Sequence, residues 1–552
     1  MEKRLLIAIV LSFVVLFAWQ ALMVKKPPPE PAPPLPITSQ PQTETQALPE
    51  PQKLKAKTGE PAPQIKEDMP AADSAVSEER KASITVDTPF YRAVWSNVGA
   101  VLTSWRLKQH FDEVGEPLEL VSADAADLGR YPFALQTDDP AFDGLINTAL
   151  FKPSLTSLEL IDGESGDLIL EFADGRGTRV EKVFTFRGDG YDFDIQLRLW
   201  KNGQPVEPRM VWGPNFGNLQ AASQSRLGGS PGVSIYAGAK VYRQDERKFD
   251  PEASTYNFVT WASYDDQYFT ALFITSPQQT SAVFTREEIN QVFYHYLTMN
   301  SAQKAYLGPK QYDLLSTLGF DAKKAVRFGF FGFIAEILYV AIKKVNAVIP
   351  NWGFCIIILT LVIKILFFPL TYSSTKSMAR MQELQPKIKA LRAKYKKAKQ
   401  DIEQRRKLNE ETMRLYKEHG VNPAGGCLPM LIQLPIFWGF FRLLGVAIEF
   451  RHSPFILWIT DLSVKDPYYV IPILMGITQF ISQKMTPTTG DATQQRMMLI
   501  MPVIMTIFFI SFPSGLVLYW LTNNVLQIGQ QYIMNRFKQK QKRETHAKRR
   551  KK

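Results

Sequence analysis

Hydrophobic positions change their period twice along this chain. Residues 5–24 form an apolar run broken only by Ser12 and Gln20, with Lys3 and Arg4 before it. As a helix it is long enough to cross about 30 Å of hydrocarbon. Lys25 and Lys26 follow with no small-x-small cleavage pattern, so an uncleaved anchor over 1–24 is expected, not a signal peptide. Residues 27–70 then carry 13 prolines among Glu, Gln, Thr and Lys, which cannot build a core and predict an extended tether over 25–80.

From 83 to 318 the period becomes two. Ile84-Thr-Val, Tyr91-Arg-Ala-Val-Trp, Leu168-Ile-Leu-Glu-Phe, Val183-Phe-Thr-Phe and Phe193-Asp-Ile-Gln-Leu-Arg-Leu-Trp alternate, and Asp162-Gly, Asp174-Gly, Gly188-Asp-Gly and Asn202-Gly supply turns. Alternation between such turns predicts half-buried antiparallel strands, hence an all-β sandwich domain over 81–320.

The second half carries five longer apolar segments, 352–370, 428–448, 468–481, 497–512 and 516–533, several with Trp or Tyr near their ends. A sixth stretch, 325–342, is apolar apart from Arg327 and Glu336. Were it also to cross, the Lys-rich block 372–420 would land outside, against the positive-inside bias. It is therefore expected to lie flat as an interfacial amphipathic helix within 321–350. The fold class expected is a multi-domain membrane protein. It has six spans in all, five of them in a polytopic α-helical core over 351–535, plus the all-β domain, with both termini cytoplasmic.

Charge supports that orientation. The net charge is +12, yet residues 81–320 hold 21 basic and 30 acidic side chains. Residues 372–420 hold 14 basic and 6 acidic, and 534–552 hold ten basic and one acidic. The first basic block reads as a helical hairpin with apolar positions at Leu384, Ile388, Leu391 and Tyr395, then Ile402, Leu408, Met413, Leu415 and Tyr416. The second is a basic cytoplasmic tail over 536–552. Two cysteines exclude a disulfide scaffold, and five scattered histidines offer no metal-ligand spacing. No nucleotide-binding loop or catalytic triad is visible, so neither catalysis nor a cofactor is assigned.

Polar residues inside the apolar segments carry the functional signal. Lys364 lies within the 352–370 span, where a basic side chain costs about 2.5–3.5 kcal/mol and implies function by default; the alternative is snorkelling to the interface. Gln433, Thr478, Gln479, Ser482 and Gln483 fall, like Lys364, in the cytoplasmic halves of their spans. So do Asn523, Asn524, Gln527, Gln530 and Gln531, which helical spacing places on one stripe. The outer halves are apolar. A polar cavity open to the cytoplasm and closed outside follows. Arg442 breaks the pattern and is expected to snorkel outward. Trp212 and Trp261 could stack on sugars, but core packing is the expected role of both.

The membrane half resembles the YidC insertase family, which includes the mitochondrial oxidase-assembly and chloroplast thylakoid insertases. The likeness runs over about 325–535. It rests on Asn351-Trp-Gly, Phe368-Pro-Leu-Thr, Leu384-Gln-Pro-Lys-Ile, Asn422-Pro-Ala-Gly-Gly-Cys-Leu-Pro-Met-Leu-Ile-Gln-Leu-Pro-Ile-Phe, Trp458-Ile-Thr-Asp-Leu-Ser, Asp466-Pro-Tyr-Tyr, Pro472-Ile-Leu-Met-Gly and Phe512-Pro-Ser-Gly-Leu-Val-Leu-Tyr-Trp. The anchor, tether and β-domain resemble its Gram-negative form. The resemblance implies an inner-membrane protein whose β-domain is a periplasmic supersandwich akin to galactose mutarotase.

It also implies a membrane protein insertase and folding chaperone, acting alone or with the Sec translocon. Lys364 occupies the place of a groove residue that is most often arginine, and Thr360 and Gln433 match polar groove positions beside Asn523, Asn524 and Gln527. An apolar slide is implied along Leu428, Met430, Leu431, Phe437, Met505, Phe508 and Phe509, with Tyr519 and Trp520 touching substrate. Implied partners are nascent membrane proteins, the Sec translocon and its accessory subunits, the ribosome and a targeting-factor receptor through the basic hairpin and tail, and anionic lipids. The alternative is a secondary transporter with a cytoplasm-facing polar site, which would predict paired repeats and a midplane site.

Overall fold

The computed structural model describes residues 75–112, 114–217, 231–249, 252–275, 280–300, 302–395, 401–421, 428–486 and 492–550, without the side chains of 428–432, 492–497 and 537–550. The expected anchor and most of the tether lie outside the described residues.

Alternation does fold as sheet. In the strand Arg179–Arg187 every second side chain is buried, so Val180, Lys182, Phe184 and Phe186 face inward. It pairs antiparallel with Asp192–Lys201 and Ser165–Ala173, the segments the pattern marked. Asn202 and Gly203 both take positive φ, giving the two-residue hairpin that returns Gln204 to Lys201. Among the described residues the strands form sheets of five, ten and five. One pairing is parallel, Ser83–Asp87 with Ser157–Glu159. Among the described residues of this domain α-helix is confined to α1 (Asp124–Leu128), α2 (Pro140–Thr148) and α3 (Tyr312–Thr317), with a 3-10 turn at Glu246–Lys248. Aromatic rings fill the space between sheets: Trp95 lies 4.2 Å from Phe184, and Tyr91 stacks on Trp105 at 3.9 Å. Trp212 and Trp261 are buried here, so both belong to the core and neither offers a face to a sugar.

Lys182 shares that core. Its Nζ donates to the carbonyls of Gly99, Ala100 and Phe133 at 2.8, 3.0 and 2.8 Å. Ala100 and Phe133 have positive φ, so the ammonium ties two irregular turns to the sheet.

The second half is helical. Its elements are α4 (Gly332–Asn346), α5 (Trp352–Leu366), α6 (Phe368–Glu383), α7 (Gln385–Lys394), α8 (Ile402–Glu418), α9 (Leu428–Val446), α10 (Val470–Met485), α11 (Ala492–Phe509) and α12 (Ser514–Arg550). The chain is thus a sheet-rich domain followed by a helical core. Among the described residues no single helix is long and apolar enough to cross a membrane; α5 with α6, bent by 61°, passes that test as a pair. At 1.5 Å per residue the 15 residues of α5 reach only about 22 Å. Large apolar side chains nevertheless face outward along these helices, among them Val362, Ile365, Ile477, Val503 and Ile507, a surface that suits hydrocarbon and not water.

Helix α4 starts at Gly332, later than the apolar stretch suggested. One face buries Ala335, Leu338, Tyr339 and Ile342, while Phe333, Ile337 and Val340 point outward. It packs on α9, where a Cβ at Gly439 would lie 2.7 Å from Ile334 Cγ2, so only glycine admits the approach.

A polar joint ties the β-domain to the core. Arg327 pairs with Asp265 at 2.6 Å and Asp245 at 3.3 Å, and Lys310 reaches the other oxygen of Asp265 at 3.2 Å. Gln267 donates to the Gly445 carbonyl at 2.7 Å and Arg451 to that of Phe111 at 2.8 Å, while within the helical half Tyr339 of α4 donates to Glu449 at 2.6 Å. Arg442 belongs here too. Its guanidinium donates to the carbonyls of Arg327 and Phe328, just before α4. The expectation that it snorkels outward is corrected: two unpaired carbonyls at the turn through Gly329 (φ 73°) give it a protein partner.

The basic block forms α6, α7 and α8. Met381, Leu384, Ile388 and Val421 make a small cluster with Leu415 and Tyr416 against it, and Tyr395 bonds Glu411 at 2.9 Å. Ile402 and Met413, placed by the pattern in the apolar series, are exposed.

Candidate functional site

Asn351 starts α5: its side chain accepts from the Phe354 N–H at 3.1 Å and donates to the Phe455 carbonyl at 3.1 Å. Gly353 follows because a Cβ there would meet the Phe455 ring at 2.0 Å. The Asn351-Trp-Gly signature is thus a helix cap and a close approach. At the other end Pro369, in the first turn of α6, lacks the N–H that would continue α5, and the axis bends. Beside that bend a cavity lies between α5, α6, α9 and α12.

The cavity holds about 430 Å³ of empty space, including its open mouth. Thr360, Ile363, Lys364, Phe367, Leu370, Thr371, Gln433, Ile436, Tyr519 and Asn523 line it. Thr360 and Lys364 are one turn apart on α5, and the Thr360 hydroxyl donates back to the Ile356 carbonyl at 2.6 Å. Lys364 Nζ donates to Gln527 Oε1 at 2.8 Å. Tyr519 is buried and stacks on Phe440 at 4.4 Å. The described lining therefore offers one cation, hydroxyls and amides, and no carboxylate.

The amides of α12 do not form one stripe, as the spacing had suggested; they divide between two faces. Asn523, Gln527 and Gln530 face the cavity side: the first lines it, the second holds Lys364, and the third donates to Thr371 Oγ1 at 2.9 Å. Asn524 and Gln531, one residue round the helix, donate instead to the carbonyls of Met475 and Met485 on α10 at 3.2 and 3.1 Å. The structure thus turns Asn524 away from the cavity, because seven-residue spacing puts it on the face with Gln531. Sequence reasoning missed Thr371 as a lining residue. Its signal was available: 360, 364, 367 and 371 fall on one helical face.

Around the apolar side, Phe437 lies 5.0 Å from Trp520 and 6.2 Å from Phe509, and Phe509 lies 5.2 Å from Trp520. Phe509 is buried in this cluster, whereas the neighbouring Phe508 is 45% exposed. Met505 packs partly buried against the same core. The side chains of Leu428, Met430 and Leu431 lie outside the described residues.

Two family models match this chain: the YidC periplasmic domain over residues 83–341 and the 60Kd inner membrane protein over 344–542. The membrane protein insertase YidC of Syntrophus aciditrophicus is 37% identical over 576 residues, covering 97% of this chain and all of that protein. That of Geobacter sulfurreducens is 36% identical, covering 97% and 98%. A crystal structure of an active YidC insertase with its first transmembrane domain resolved aligns with 84% of this chain and 95% of that one, at 19% identity and a TM-score of 0.37. That overall similarity is too low to add to the sequence relationship, which spans both halves of the molecule. The chain belongs to the YidC family of membrane protein insertases.

Proposed function

We propose that the cavity between α5, α6, α9 and α12 is the groove through which this insertase moves nascent transmembrane segments into the inner membrane. The single observation that carries the reading is a lone ammonium, Lys364, in an otherwise uncharged polar cavity between apolar-faced helices. A short acidic tail would enter from the cytoplasm and pair transiently with Lys364. At 4 Å the pair is worth about 1 kcal/mol in water and about 4 kcal/mol at an effective dielectric of 20, enough to hold a tail and weak enough to release it. The apolar segment then passes Phe508 and Trp520 into lipid, gaining about 0.3–0.6 kcal/mol for each central Leu or Ile. Moving a negative charge outward gains about 2.3 kcal/mol per 100 mV. In the same reading the chain has six spans and both termini cytoplasmic, the hairpin and tail meet ribosomes, a targeting-factor receptor or anionic lipid, and insertion proceeds alone or with the Sec translocon.

A photoreactive residue at Thr360 or Asn523 tests this. It should crosslink an arrested nascent single-span substrate, whereas one at Val362, on the opposite face of α5 and 52% exposed, should crosslink lipid. Substrate crosslinks at Val362 alone would refute the groove.

A further inference from the structure

We infer that Gln527 is a positioning residue that parks the Lys364 ammonium on a neutral acceptor, so that an incoming carboxylate displaces an amide and not a resident anion. The inference rests on the groove reading and concerns what occupies Lys364 between substrates. The observation is the way α12 is pinned. Asn524 and Gln531 fasten one face to carbonyls of α10, and Gln530 fastens the adjoining face to Thr371 on α6. These three bonds fix the rotation and axial register of the helix. Gln527, between them, has its Oε1 2.8 Å from Lys364 Nζ.

An ammonium has three donors and no acceptor, so without a partner in the cavity its flexible stem would carry it toward the cytoplasmic interface. A carboxylate in place of Gln527 would hold it far more strongly and neutralise it. The neutral amide orients the amine and leaves its charge uncompensated. No carboxylate competes among the described residues that line the cavity, and no Asp or Glu occurs in residues 352–382 or 514–543.

The test uses the full chain in proteoliposomes with two single-span substrates whose tails differ only in two Asp or two Asn. Initial rates of protease-protected insertion are measured against substrate concentration for wild type, Gln527→Glu, Gln527→Met and Lys364→Ala. Gln527→Glu should cut insertion of the Asp-tailed substrate about tenfold more than that of the Asn-tailed one. Gln527→Met should raise the half-saturating concentration for the Asp tail about fivefold relative to that for the Asn tail, an effect on KM and not on the maximal rate of the Asp-tailed substrate. Equal loss for both tails, or wild-type behaviour of both Gln527 variants, would overturn the inference while leaving the groove in place. If Lys364→Ala also leaves the Asp tail unaffected, the groove reading itself fails.

Discussion

At the scale of single residues, two basic side chains, the buried Lys182 and the half-buried Arg442, tie down carbonyls that the backbone leaves unpaired. Lys182 satisfies three carbonyls inside the β-domain, and burial pushes its pKa from the ordinary 10.5 down to about 7. Between those values the unfolded chain holds a proton that the folded one lacks, so this lysine makes stability rise with pH through that window and adds no slope below it. Thermal unfolding of the β-domain signal in the solubilised chain should show that rise between pH 7 and 9. Lys182→Met should abolish this contribution and lower stability throughout, by up to about 1–3 kcal/mol per carbonyl left unpaired. The same slope in the variant would contradict this role. Such a lysine was not legible in the sequence: the period-two pattern puts position 182 inward, yet the acceptors come from turns about 50 and 80 residues away. Lys364 was legible as a candidate, because a charge within an apolar run must either snorkel to the interface or find a polar partner, and the structure places it in the cavity on Gln527.

At the scale of elements, the helices follow their sequence signals and depart from them where partners lie far along the chain. Asn351 and Pro369 mark the ends of α5 as capping and proline rules dictate. The division of the α12 amides into two faces follows from helical geometry alone, but which face meets α5 and which meets α10 depends on packing. Arg442 shows the larger limit, since its acceptors at 327 and 328 lie more than 110 residues upstream. This side chain fixes the turn ahead of α4 to α9, the helix that carries Gln433 and Phe437. Arg442→Ala leaves two carbonyls without their donor, at about 1–3 kcal/mol each. Hydrogen exchange at residues 326–333 should quicken by at least about tenfold, while exchange in the strand Arg179–Arg187 stays unchanged. Unchanged exchange at 326–333 would remove Arg442 from the joint.

At the scale of the whole molecule, the chain passes from period-two alternation, which ends near residue 318, to long apolar helices, while the two family models meet between residues 341 and 344. A sheet-rich domain is held against a helical core through Arg327, Gln267 and Arg451, not by the linker alone, and Tyr339 and Arg442 brace the turn and helix that follow the domain. The core gathers Thr360, Lys364, Gln433, Tyr519 and Asn523 around one cavity, although they come from three separate helices. In the proposed account that cavity supplies a transient counter-charge, and hydrocarbon and the membrane potential supply the drive. The most direct test is insertion of a single-span substrate with an acidic tail into proteoliposomes, scored by protease protection. Wild type is compared with Lys364→Ala and Lys364→Arg. The account predicts that Ala lowers insertion at least about tenfold while Arg, which keeps the charge, preserves it. Insertion by Lys364→Ala at the wild-type rate would contradict the counter-charge and move the driving force to the apolar surface beside the cavity.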